Sequence, residues 1–187
     1  MKVFPFFLFL LPLVCPGKVR LPAIFSDNLV FQQRSGNPIW GWADSKEKVT
    51  VKTSWDETYS ATAGSSRRWM VTVNTPKAGA GHEVTIQGSN KIVLKNVAIG
   101  EVWLCAGQSN MGWSMGNSFE AEKEAKVDFP NFRIYRSARE HWHEPLKENR
   151  DRLARWKPCD PKSAAETSAV AYYFGKKLHQ TLGVPVG

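Results

Sequence analysis

Ser109 lies in the run Gly107-Gln108-Ser109-Asn110-Met111, directly after the apolar residues Val102-Trp103-Leu104-Cys105-Ala106. A serine at the end of a buried strand, on a turn that glycine permits and ahead of a helix, is placed to act as a nucleophile. Gly107 tolerates the sharp turn, and the turn lifts the hydroxyl above the end of the sheet. Nearby backbone N–H groups can then face a developing oxyanion. The chemistry this allows is acyl transfer. The ordinary GxSxG elbow requires glycine at 111, where this chain has Met111, so that signature is not met. Gln108 and Asn110 flank the serine and can either touch a substrate or brace the turn, bracing being the simpler role.

Such a serine needs a base, because its hydroxyl stays protonated near neutral pH. The chain has four histidines, His82, His141, His143 and His179. Glu140 with His143 has the residue types of an orienting acid and a base, but the pair sits in an irregular, charged stretch that reads as solvated surface. His141 and His143 lack the further Cys or acidic cluster that a metal site needs, and acyl transfer requires no metal. No metal and no cofactor are expected.

The elements that must carry Ser109 follow from the surrounding texture. From Leu21 to about Ile99 short alternating runs are separated by turn residues, the pattern of an antiparallel β domain. Val49, Val51, Thr53 and Trp55 fall on one face, then Trp69, Val71 and Val73, then Val84 and Ile86, then Ile92 and Leu94, with Gly64, Ala78 to Gly81 and Gly88-Ser89-Asn90 supplying turns. This predicts a β-sandwich or jelly-roll-like module over residues 18–98. Its tryptophans Trp40, Trp42, Trp55 and Trp69 could form a sugar-stacking platform, but their place in alternating strands favours core packing.

After Gly100 the pattern changes. Val102–Ala106 reads as a fully buried parallel strand, Ser118 to Lys126 has helical character, and Phe132–Tyr135 is β-like. A polar, irregular stretch runs from Ser137 to Pro161. Ser163 and Glu166 have capping-box spacing ahead of a helix that Gly183 closes, and Val184-Pro185-Val186-Gly187 begins another strand. The prediction is a mixed fold, an antiparallel β-sandwich followed by the first part of an α/β domain over residues 99–187.

With 42% hydrophobic and 12% aromatic residues the chain can bury a core, which argues against intrinsic disorder. Lys2, the apolar run Val3–Val14 and the exit Cys15-Pro16-Gly17 read as an export signal over residues 1–17, too short and too Pro-broken for the roughly 20 apolar residues of a spanning helix. Val14 before Cys15 makes that cysteine a poor lipidation site. Export is expected to end in periplasm, lysosome or medium. The net charge of +8 invites a nucleic-acid reading, but acidic residues are interspersed with the basic ones between Arg133 and Arg155, so a mixed-charge surface fits better and no nucleic-acid or membrane partner is expected. Cys105 and Cys159 could bridge outside the cell, although Cys105, ending an apolar run, reads as a buried free thiol.

The block Gly100–Met111 resembles the nucleophile block of the sialate O-acetylesterases, a branch of the SGNH (GDSL-like) hydrolases. Leu21-Pro22-Ala23-Ile24-Phe25-Ser26-Asp27-Asn28 with Gln32-Gln33 is similar to that family's mature N-terminus. Trp40-Gly41-Trp42-Ala43 is similar to its first hairpin, and Ser168–Gly175 through Gly187 to its following helix and strand start. Four blocks in order cover most of the chain after the signal. The resemblance implies an SGNH-type three-layer domain and removal of O-acetyl groups from sialic acids or other acetylated sugars through an acetyl-serine. Ser109 would be the nucleophile and its N–H part of the oxyanion hole. The family takes its base from an Asp-x-x-His motif near the far C-terminus. The residues three before the four histidines here are Gly79, Ala138, Glu140 and Lys176, so no such motif is present, and the chain is expected to be an N-terminal fragment of low activity. The contrasting reading is a non-catalytic, exported carbohydrate-binding protein that uses the Trp-rich β module.

Overall fold

The computed structural model describes residues 17–55, 57–124, 126–137, 143–144, 146, 148 and 154–187. The expected signal segment, apart from Gly17, lies outside these, as do Glu140 and His141. No helix among the described residues is long and apolar enough to cross a membrane.

Seven strands come first: β1 (Val30–Gln32), β2 (Gly36–Trp42), β3 (Lys48–Thr53), β4 (Thr58–Thr62), β5 (Arg68–Asn74), β6 (Gly79–Gln87) and β7 (Lys91–Gly100). They form a five-stranded sheet in the order β1-β7-β6-β3-β4 and a two-stranded sheet β2-β5. Period-two alternation sends one side chain in two inward, so Val49 and Val51 of β3, Val71 and Val73 of β5, and Val84 and Ile86 of β6 meet Ile39 of β2 and Leu94 and Val97 of β7 in one shared core. The inward faces follow the sequence pattern. The expectation of purely antiparallel pairing does not hold, because β1 runs parallel to β7, with Val30, Phe31 and Gln32 opposite Ala98, Ile99 and Gly100. The chain between β1 and β7 builds five strands before returning, which gives the long crossover that a parallel neighbour requires.

The tryptophans divide between two environments, a correction to core packing for all four. Trp69 is buried, whereas Trp40 and Trp42 alternate with the inward Ile39 and Gly41 and so lie half-buried on the outer face of β2. Their rings meet edge to face at 5.4 Å, and the Arg20 and Arg68 guanidinium groups stand 3.8 Å and 5.4 Å from the ring centres of Trp42 and Trp40. Trp55 sits in the β3–β4 turn, half-buried, where its Nε1 donates to the Asn74 carbonyl at 2.9 Å.

Beyond Gly100 come α1 (Ser109–Gly112), a 3-10 turn (Met115–Asn117), α2 (Ala121–Glu124), β8 (Phe129–Tyr135), β9 (Trp156–Cys159), α3 (Pro161–Glu166) and α4 (Ala169–Leu182). The helix expected over Ser118–Lys126 is reduced to the short α2. β8 pairs with β9 antiparallel, a strand not seen in the sequence because its four residues fall in the polar stretch. Val186 bridges in parallel to both Glu101 and Phe132, so three segments begin a parallel sheet with Val186 in the middle. Met115, Phe132, Cys159, Ala164, Tyr172 and Val186 form a second core. Arg133 spans the two cores. The residue is 1% exposed, and its guanidinium donates to the carbonyls of Leu29, Asn96 and Pro130.

Two local expectations are corrected. The single helix starting at Ser163 is two helices, because Asp160 rather than Ser163 is the first cap. Its side chain accepts from Ser163 N at 2.7 Å, Ser163 Oγ accepts from Asp160 N at 3.0 Å, and Pro161 presets the first turn. Thr167 then turns extended, and Ser168 caps α4 by accepting from Ala171 N at 3.4 Å. Gly183 ends α4 in the left-handed region at φ 65°.

The second correction concerns Val102–Ala106, which is irregular and exposed, with Leu104 93% exposed, rather than a buried strand. Glu101 N donates to Pro185 O, Gly187 N to Glu101 O and Trp103 N to Gly187 O, and among the described residues no backbone pairs with 104–106. An apolar run is buried as a strand only where neighbours and covering helices meet it. Cys105 is accordingly exposed, while Cys159 is buried, and both thiols are free.

Candidate functional site around Ser109

The segment leading to Ser109 is held at both ends. At its start, Glu101 and Trp103 join the parallel ladder to 185–187, and the Trp103 ring meets Phe174 of α4 edge to face at 5.1 Å. At its end, Ala169 N donates to Trp113 O at 2.8 Å and Met115 N to Thr167 O at 2.8 Å, while Ser168 Oγ lies 3.1 Å from Met111 Sδ. The N-terminal end of α4 is thereby the platform on which the serine turn rests.

Ser109 is the first residue of α1 and is exposed. Its hydroxyl makes no hydrogen bond among the described residues. Gly107 precedes the helix in irregular backbone, and a β-carbon on it would lie 3.2 Å from Met111 Cβ, so any side chain there would crowd the turn. Gln108 is the N-cap of α1. Its carbonyl accepts from Gly112 N at 3.1 Å, and the Asn110 carbonyl accepts from Trp113 N at 3.3 Å. Both residues therefore close the turn through their main chains. The first amides of a helix lack intrahelical acceptors, and those of α1 begin at Ser109 itself. Trp113 and Phe119 are also exposed in this region.

The described histidines are placed elsewhere. His82, on β6, lies 3.3 Å from Ser54 Oγ and edge-on to Trp55, and burial pushes its pKa down. His179 Nδ1 pairs with the Val184 carbonyl at 2.8 Å at the end of α4. His143 is exposed. No histidine hydrogen-bonds Ser109 among the described residues, and no group of three His, Cys, Asp or Glu side chains there could hold a metal ion.

A set of side chains that no sequence motif singles out meets at Glu101. Gln32 Nε2 donates to Glu101 Oε2 at 3.3 Å, Gln33 Nε2 donates to Glu101 Oε1 at 2.8 Å, and Val102 N donates to Gln32 Oε1 at 2.9 Å. Two adjacent glutamines at a strand end were the available signal, but their partner lies about seventy residues away.

No family model matches the sequence. The sialate O-acetylesterase of Rattus norvegicus is 31% identical over 184 residues, covering 88% of this chain and 34% of that protein. The Homo sapiens protein of the same name is 29% identical over 191 residues, covering 90% and 36%. The chain thus spans about a third of the length of these relatives. Among solved structures, a carbohydrate acetylesterase from Xanthomonas citri superposes with a TM-score of 0.86 at 26% identity, over 91% of this chain and 39% of that one. Over nearly nine tenths of its own length, this chain is a homologue of the sialate O-acetylesterases.

Proposed function

We propose that the chain carries the nucleophile of a serine acetylesterase acting on O-acetylated sugars, sialic acids among them. The observation that carries this reading is Ser109 itself, exposed at the head of α1 on a turn seated against α4, within the block that resembles the nucleophile block of that family. Ser109 Oγ attacks the acetyl carbonyl carbon, the sugar oxygen leaves with a proton, and water then releases acetate from the acetyl-serine. The Ser109 N–H is the donor assigned to the oxyanion. Gly107 keeps the turn open, and Gln108 and Asn110 brace it.

The base is assigned to an Asp-x-x-His motif of the kind the family resemblance implies, which residues 1–187 do not contain. Loss of a triad member lowers turnover by roughly four or more powers of ten, so these residues alone are expected to acylate slowly. In the same reading, residues 18–98 are a β-sandwich module, and the segments begun at Glu101, Phe132 and Val186 open an SGNH-type three-layer domain. Residues 1–17 direct export. A sugar-binding role for Trp42 would require displacing Arg20 from its ring, which favours the esterase.

The test is incubation with 9-O-acetylated sialic acid or p-nitrophenyl acetate, followed by mass spectrometry of the intact chain and its peptides. One acetyl group on Ser109, absent from Ser109→Ala, supports the assignment. Ester hydrolysis that persists unchanged in Ser109→Ala overturns it.

A further inference from the structure

We propose that Gln32 and Gln33 are positioning residues for Ser109, their side-chain amides taking the place of a neighbouring strand along the segment that leads to it. This rests on Ser109 being the nucleophile.

In the parallel pairing with 185–187, residues 101 and 103 use their main chains on one side. Alternation then turns the Val102 N–H to the opposite edge. There it meets no strand among the described residues, and instead donates to Gln32 Oε1 at 2.9 Å. An exposed edge N–H is thereby satisfied by a side chain. The same Gln32 amide and that of Gln33 each donate to one oxygen of the Glu101 carboxylate. Hydrogen bonds to an ionised acceptor are stronger than neutral ones.

The glutamines are themselves fixed. Gln33 Oε1 accepts from Ala78 N at 3.1 Å, and Gln33 N donates to Gly100 O at 2.8 Å. Gln32 N donates to Asn37 Oδ1, while Gln32 O accepts from Asn37 Nδ2 and from Thr75 Oγ1, both residues being buried. The β module therefore reaches Glu101 and Val102 through a supported network. With α4 holding Met111 and Trp113, the residues between, Ser109 included, are suspended from two anchors. Loosening the first lets the hydroxyl drift, and a shift of about 1 Å at a reacting group can cost about a hundredfold in rate.

The experiment combines amide hydrogen exchange at Val102 with the rate of Ser109 acetylation by p-nitrophenyl acetate in the 187-residue chain, alongside the unfolding midpoint. In Gln32→Ala, Val102 exchange is expected to rise about tenfold and acetylation to slow about tenfold. Gln32→Glu sets two carboxylates together and is expected to behave similarly near neutral pH. Adding Glu101→Gln restores a donor to a carboxylate at the same place, so the pair Gln32→Glu/Glu101→Gln should recover both readouts. Unchanged exchange in Gln32→Ala overturns the clamp. Raised exchange with undiminished acetylation, or a double variant that regains its midpoint without regaining rate, overturns the positioning role. A wild-type chain that takes no acetyl group on Ser109 overturns the nucleophile reading and the positioning role with it, while the exchange data still report on the clamp.

Discussion

Gly175 faces Phe132 so closely that a β-carbon added to it would lie 2.5 Å from Phe132 Cε2 and 2.7 Å from Cζ. This close approach seats α4, and with it the platform under the Ser109 turn, on β8. In a solvent-exposed helix, glycine to alanine would stabilise by about 1 kcal/mol. Here the sign should reverse. Phe132 is 4% exposed and packed against Tyr172 at 6.1 Å, so its ring has nowhere to retreat. Gly175→Ala is expected to destabilise by about 1–3 kcal/mol in urea unfolding, and Phe132→Leu in the same chain should recover part of that loss. A more stable Gly175→Ala chain would show that the contact is slack.

Glu124 gives the fold an acid-sensitive joint. Burial pushes its pKa up, but hydrogen bonds from Lys176 and Tyr172 and the Lys176 charge outweigh that, and the net shift is downward. A folded-state pKa below the unfolded value stabilises the fold above about pH 4, and this contribution is lost as pH falls through the lower folded value. Asp160, lowered chiefly by the Ser163 backbone N–H at the start of α3, acts in the same direction. Unfolding midpoints measured from pH 7 down to pH 3 should fall steeply at the acid end. Glu124→Gln should flatten that fall, and an unaltered profile would rule out Glu124 as a contributor.

How much of this was legible in the sequence follows from what each signal depends on. Val49, Val51, Val84 and Ile86 are inward because alternation is a local property that any half-buried strand must show. Gly183 closes α4 for the same local reason. Trp40 and Trp42 alternate just as regularly, but alternation does not say which face is the core, and an apolar type assigned to the inside lies outside under arginine. Val102–Ala106 misled in the opposite way. Its composition is that of a buried strand, yet burial depends on neighbours brought from elsewhere, and among the described residues no backbone pairs with 104–106. Ser109 stood out because glycine, serine and helix start are contiguous. The Gln32, Gln33 and Glu101 contacts did not, because nothing local links residues so far apart.

The two described cysteines, Cys105 and Cys159, should differ sharply in reactivity. Cys159 is fully buried, and burial pushes its thiol up to about 12. The thiolate is the reactive form, so this residue should be inert in the folded chain. Cys105 is exposed on the segment before Ser109. Of these two, iodoacetamide at mildly alkaline pH is expected to modify only Cys105 in the native chain, with Cys159 reacting only after denaturant is added, as read by peptide mass spectrometry. Equal labelling of both in the native chain, or labelling of neither until a reductant is added, would contradict the structure.

Ser109 offers a separation of chemistry from stability. Its side chain is exposed and makes no hydrogen bond among the described residues, and it is not the cap of α1, which is Gln108. Removing its hydroxyl therefore breaks no contact that holds the fold, and an exposed substitution of this kind usually changes stability by no more than about 0.5 kcal/mol. Ser109→Ala should unfold at the wild-type midpoint while losing all acetylation at that position. Gly107→Val provides the contrast, since its side chain would press on Met111, 3.2 Å from the β-carbon position, and so displace the turn. It should slow acetylation although Ser109 is intact. A Ser109→Ala chain with a clearly lowered midpoint would mean that the hydroxyl serves the fold, and the case for a nucleophile would then have to rest on acetylation alone.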